Sequence, residues 1–269
     1  MILRPIQPRA SATPSIPLAI WTAIERSQKE LAGANECWLI TQPAHSAVSG
    51  DIAAKLSKKA FGKLDAATVR AIALHDAGWS SYDAEMVSFS RFAGSAPRKG
   101  KSGCITSFVA VPAQNTFQAW TDSVEVALKV GALGGHLVSE HFRGIALSHR
   151  EVVPDALHWM DKFIAQEDSR QRKIRPTLTQ TDDELKSLVE AIRFCDLLSL
   201  YLCCGAEDDV QFSQVLEGKN IVLQRRGNSC TLSPFPFERE EIFQVQALRH
   251  PKTKNVSSAA FHLKMERPG

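Results

Sequence analysis

The chain has 269 residues, 44% hydrophobic and 23% charged, with a formal net charge of +3. This composition is ordinary for a folded protein and excludes a chain disordered over most of its length. No apolar run approaches about 18 residues, so no membrane-spanning helix is expected, and the charge excess is too small to argue for specific nucleic-acid binding.

The length allows one large domain, or a domain with an appendage. Residues 1–16 are proline-rich and read as an irregular arm that carries Arg4 and Arg9 but no apolar signal core. The six cysteines form no CxxC pair, so a zinc ribbon and a thioredoxin-type motif are both excluded. A reduced, cytoplasmic protein is the expectation.

Residues 17–33 are predicted helical, between Pro17 in the first turn and Gly33 beyond the end. A short strand follows at 38–41. Next comes a helix with Pro43 in its first turn, where Ala44, Val48, Ile52 and Leu56 repeat at helical spacing. Asp65 is positioned to cap the next helix, which runs through Val69 and Ile72 into His75-Asp76.

Residues 84–115 hold Gly94, Pro97, Gly100, Gly103 and Pro112 and read as a long loop with a basic excess. Helix is expected again from Thr121 to about His141, and from Pro154 to Gln166. Thr181 and Glu184 form a capping box that opens the clearest helix of the chain, which Gly205 ends. Beyond Gly205 the alternation of Phe243, Val245 and Ala247, and of Phe261, Leu263 and Met265, predicts antiparallel strands. The predicted fold class is mainly α with a C-terminal antiparallel β-rich segment. The predicted divisions are an arm and helix at 1–35, a helical core at 36–205 and a β-rich segment at 206–269 packed on that core.

Asp196 is the most informative polar residue. It lies four residues after Ile192 and seven after Val189, on the apolar face of its helix. A buried carboxylate needs a cationic partner, which is either an arginine such as Arg193 or a metal ion. His45 precedes Val48 by three and Ile52 by seven, so it also faces inward. His45, His75, Asp76 and Asp196 together offer two imidazoles and two carboxylates, a set that Mn, Fe, Zn, Ni or Mg accepts. His141 continues the stripe of Val130, Leu133 and Leu137 and is a further candidate; the alternative is a core histidine bonded to a backbone carbonyl.

The order His45, His75-Asp76, Asp196 resembles the H…HD…D signature of the HD superfamily of metal-dependent hydrolases, a largely helical group. The stretches QPAHSAVSGDIA, AIALHDAGWSSYD, LVSEHF, FCDLLSLYLC and LSPFPF are similar to one uncharacterised bacterial family of HD-like proteins. The resemblance implies an HD-like helical core in which His45, His75, Asp76 and Asp196 bind a divalent metal. It implies a hydrolase acting on a phosphate ester or nucleotide-like small anion through a metal-activated water. A diiron oxygenase and a non-catalytic metal-stabilised binding domain are the alternatives. Ala77, Gly78 and Trp79 stand where many relatives carry a Lys or His, and only His141 offers itself to a second metal, so a mononuclear centre is favoured. Asp83 is the candidate to orient or deprotonate the water, and His141 to take a phosphate oxygen. Arg98, Lys99 and Lys101 are candidate contacts to the anion. The sequence does not indicate an oligomeric state.

Overall fold

The computed structural model of the chain describes residues 1–7, 16–32, 34–92, 105–149, 156–251 and 258–268. In chain order the elements begin with β1 (Ile2–Arg4), β2 (Leu18–Ala19), α1 (Ile20–Glu30), β3 (Cys37–Ile40) and α2 (Gln42–Ala53). Then come α3 (Lys58–Phe61), α4 (Ala66–Ala73), α5 (Ser80–Phe92), α6 (Ala113–Leu128), α7 (Ala132–His149), α8 (Leu157–Ile174) and α9 (Asp182–Cys204). The chain closes with β4 (Val210–Leu216), β5 (Lys219–Arg226), β6 (Ser229–Ser233), β7 (Glu241–His250) and β8 (Ser258–Glu266).

The strands form one eight-stranded sheet in the order β1-β3-β7-β8-β6-β5-β4-β2. This corrects the expected class of a mainly α fold with an antiparallel C-terminal segment. The sheet is mixed: β6 pairs parallel with β8 and β2 parallel with β4, while the other pairs are antiparallel. It also recruits strands from the other end of the chain. Ile2 pairs with Ile40, and Trp38 with Arg249, so β1 and β3 extend the C-terminal strands on one side. Three residues at 2–4 are too few to show a strand period. β5 and β6 form a hairpin, with Arg226 opposite Ser229 across the turn.

The helices that carry the predicted ligands follow local rules. The Thr41 side chain accepts from Ala44 N at the start of α2, and Asp65 accepts from Thr68 N at the start of α4. Thr181 and Glu184 form a reciprocal capping box at the start of α9, and Gly205 closes it in the left-handed conformation at φ 67°. From Phe194 to Cys204 every α9 residue except Leu197 is buried. This helix lies between the sheet, through β1 and β4, and the helices α2, α4 and α7.

Two further expectations are corrected. The loop predicted over 84–115 is helical as far as Phe92 and again from Ala113. Met86 and Val87 of α5 pack on a small core of Met1, Leu3, Leu31, Cys37 and Leu39, and this packing carries the helix past residue 84. The single helix expected over 121–141 is two helices that part at Gly131, whose φ is 154°. Thr121 does not begin a helix. It sits inside α6, where its hydroxyl donates to the carbonyl of Phe117 at 2.9 Å.

Candidate metal centre

Four helical segments deliver the site. α2 brings His45, the turn after α4 brings His75 and Asp76, α7 brings His141 and α9 brings Asp196. α2 packs against both α4 and α9, and α7 does the same from the opposite side. All five residues are buried.

Their ligand atoms converge. His45 Nε2 lies 2.9 Å from Asp76 Oδ2 and 3.5 Å from Asp196 Oδ1. His75 Nε2 lies 3.2 Å from Asp196 Oδ1 and 3.7 Å from Asp76 Oδ2. His141 Nε2 lies 3.4 Å from Asp196 Oδ2. Donors about 2.1 Å from one ion sit about 3.0 Å apart at right angles and about 3.4 Å apart at the tetrahedral angle. The observed separations bracket those two values. Two overlapping triads, His45–His75–Asp76 and His75–His141–Asp196, each keep their donor atoms within 4.8 Å of one another. These buried His/Asp groups can hold a metal ion.

The rest of each ring is arranged accordingly. His75 Nδ1 lies 2.8 Å from the carbonyl of Ile72, which can only accept, so this nitrogen carries a proton and Nε2 is the ring atom turned to the carboxylates. His141 has no hydrogen-bond partner at either nitrogen, although Nε2 sits beside Asp196. A buried imidazole nitrogen next to a carboxylate but not aligned with it suits a ligand better than a structural hydrogen bond. The core-histidine alternative, a bond to a backbone carbonyl, is not what His141 makes.

The charge balance points the same way. Among the described residues neither Asp76 nor Asp196 pairs with a lysine or arginine; their partners are the histidines. Arg193, the alternative partner for Asp196, pairs instead with Glu190 at 2.6 Å. Burial works against a charged His75, yet Asp76 and Asp196 outweigh it and raise the imidazole to about 9. Burial likewise opposes ionisation of Asp196, but His141 and His75 hold it well below the usual carboxylate range. His141 is pushed down by burial, more than Asp196 can offset. The carboxylates thus favour positive charge at the point where the Nε2 atoms meet.

The carboxylates are the least enclosed of the five: their side chains keep 8% and 9% exposure, against 0%, 1% and 2% for His45, His75 and His141.

Other candidates fall elsewhere. Asp83 is buried, but it accepts from Gln42 N at 2.5 Å and lies 3.0 Å from the Met1 amine. Its Oδ2 is engaged at the start of α2 and its Oδ1 faces the Met1 amine, and it belongs to neither triad. Arg98, Lys99 and Lys101 lie outside the described residues. His136 belongs to neither triad, as its angular distance from His141 on α7 requires.

Three serines beside the ligands escaped the sequence reading. Ser46 Oγ donates to the carbonyl of Ala73 at 2.9 Å and accepts from Asp76 N at 3.3 Å, which fixes the His75-Asp76 turn on α2. Ser49 and Ser199 lie 2.7 Å from each other, and Ser199 lies 2.7 Å from His45 Nδ1. Their spacing carries a signal: Ser49 follows His45 by four and Ser199 follows Asp196 by three, so each flanks a ligand on its helix.

Five cysteines, Cys37, Cys195, Cys203, Cys204 and Cys230, are buried free thiols. Burial pushes the thiol of Cys37 up to about 11, so it is protonated at neutral pH. Among the described residues no helix is long and apolar enough to cross a membrane.

Residues 32–249 match the model of a family described as a protein of unknown function (DUF3891). No curated protein and no solved structure matches the chain. The matched span covers most of the 269 residues and includes all five residues of the cluster, and the chain belongs to that family.

Proposed function

We propose that this DUF3891 protein is a metal-dependent hydrolase with a mononuclear centre held by His45, His75, Asp76 and Asp196, with His141 as a fifth donor. The observation that carries the reading is the convergence of three imidazole nitrogens and two carboxylates at ligand-sphere separations, with no lysine or arginine among the described residues paired to the acids. A divalent ion bound there supplies Lewis acidity and lowers the pKa of a coordinated water.

His75 favours a single ion. Both triads contain it, and with Nδ1 on the carbonyl of Ile72 only Nε2 is left to bind. One imidazole nitrogen serves one ion, so the two triads cannot both be filled at once. This favours the hydrolase over a diiron oxygenase, which needs two.

The chain's own residues then divide the work. His45 and His75 hold position from the buried side. Asp76 and Asp196, the least enclosed of the five, neutralise the ion and meet an incoming substrate first. With Asp83 committed to α2, the free carboxylate oxygens of this pair are the groups left to hold a proton near the attacking water. The substrate class we propose is a small phosphate ester or nucleotide-like anion. The support is the ordered resemblance to H…HD…D enzymes together with an ion whose charge is offset by only two carboxylates.

The test is hydrolysis of a panel of phosphate mono- and diesters, p-nitrophenyl phosphate and its bis ester among them, by protein loaded with Mn²⁺, Zn²⁺ or Fe²⁺. The proposal predicts turnover that falls at least about 100-fold in a His75→Ala, Asp76→Ala double variant. Equal rates in variant and wild type would mean that the activity belongs to another site.

A further inference from the structure

We infer that Ser199 is a positioning residue for the centre: it grips the remote nitrogen of His45 so that Nε2 faces the ion. The inference rests on the metal reading above and adds the device that orients one of its ligands. The three imidazoles differ in what holds them. His75 Nδ1 is held by the carbonyl of Ile72 at 2.8 Å with Ser46 Oγ 3.2 Å away, and His141 by no hydrogen bond, whereas His45 Nδ1 is held by a side chain alone, Ser199 Oγ, at 2.7 Å.

An ion on Nε2 sets the direction of that bond: His45 then carries its proton on Nδ1 and donates it to Ser199 Oγ. A serine hydroxyl has one proton and two lone pairs. Ser199 has an outlet for its own proton in the carbonyl of Asp196, 2.9 Å away and one turn back on α9. Ser49 Oγ, 2.7 Å from Ser199 Oγ and 3.3 Å from the carbonyl of His45, completes the group.

Nε2 lies 2.9 Å from Asp76 Oδ2 and 3.5 Å from Asp196 Oδ1. An ion held between this nitrogen and the carboxylates takes the place of a proton there, and Ser199 keeps the other proton of the ring on Nδ1. It also ties α2 to α9, because one hydroxyl touches both the His45 ring and the Asp196 backbone. Ser49, Ser199 and His45 are all fully buried, so water does not compete for these bonds.

Zinc is the probe, because it is diamagnetic and leaves the ring resonances visible. Its affinity would be measured by chelator competition for wild type, Ser199→Ala, Ser199→Thr and a control, Ser187→Ala. Ser187 is also on α9, but it donates to the carbonyl of Phe61 instead of a ligand. The ring-nitrogen spectrum of the zinc-loaded wild type would locate the His45 proton. The expected results are a proton on Nδ1, an affinity loss of about 10–100-fold in Ser199→Ala, recovery in Ser199→Thr, and no loss in the control.

Zinc bound by wild type and equally by Ser199→Ala, or a His45 proton on Nε2, would overturn the role of Ser199 and leave the centre standing. A wild type that binds no zinc would overturn both. If Ser199→Ala does not fold, the wild-type spectrum and Ser199→Thr still decide.

Discussion

Asp83 shows how far a residue's chemistry depends on its neighbours. A carboxylate seven positions after Asp76 is a reasonable base on paper, yet the structure gives it a backbone N–H and an amine. It satisfies Gln42 N, a first-turn amide of α2 that no residue of its own helix can serve. Asp83→Ala should therefore destabilise the protein by about 1–3 kcal/mol, the cost of an unsatisfied buried donor. The bound-ion count should not change. Chemical denaturation and metal analysis of the same sample check both halves. Asp196 is the opposite case. Its place on an apolar helical face was legible in the sequence, because the burial of one acid demands a partner. Which partner it takes was not legible. Arg193 is three residues away and charged, but it leans to Glu190, while the histidines arrive from three other segments. The serines were missed for a related reason: Ser46, Ser49 and Ser199 look like ordinary helix residues until their hydroxyls are seen on the ligands.

At the scale of elements, the turn that carries His75-Asp76 is set by a close approach. An added Cβ on Gly78 would collide with the backbone of Ala119 and Ser123 on α6, and Gly78 N donates to Ser123 Oγ at 3.0 Å. Backbone atoms cannot rotate out of the way as a side chain can. Gly78→Ala should therefore lift the turn off α6, destabilise the protein by about 1–3 kcal/mol and weaken metal binding, because Asp76 is two residues upstream. Calorimetric titration with Zn²⁺ beside a thermal melt checks it; an unchanged affinity would show that the turn does not set the geometry. Helices with strong local signals were readable: α2 has Pro43 in its first turn, and α4 and α9 start at the caps the sequence offers. Helices decided by packing were not. α5 continues past residue 84 because Met86 and Val87 find a core built from β1 and β3, which lie more than 40 positions earlier.

The whole molecule is organised around α9. One buried cluster joins Ile2, Ile192, Phe194 and Leu198 to Phe212, Leu223, Val245 and Leu263, so helices and sheet share a core. The sheet takes β1 and β3 from the N-terminal end, and this long-range pairing is what the sequence hid. A three-residue strand has no period of its own, and its partner lies far along the chain. The same arrangement places α9 with the sheet on one side and the helices that bring His45, His75 and His141 on the other. The central claim is that this packing builds one metal centre. Its most direct test is the number of divalent ions per chain in protein purified without chelator and loaded with Zn²⁺, for wild type and Asp196→Ala. Asp196 reaches all three imidazoles, so the account predicts one ion in the wild type and a loss of at least about 100-fold in affinity in the variant. No ion, two ions, or equal binding by Asp196→Ala would contradict it.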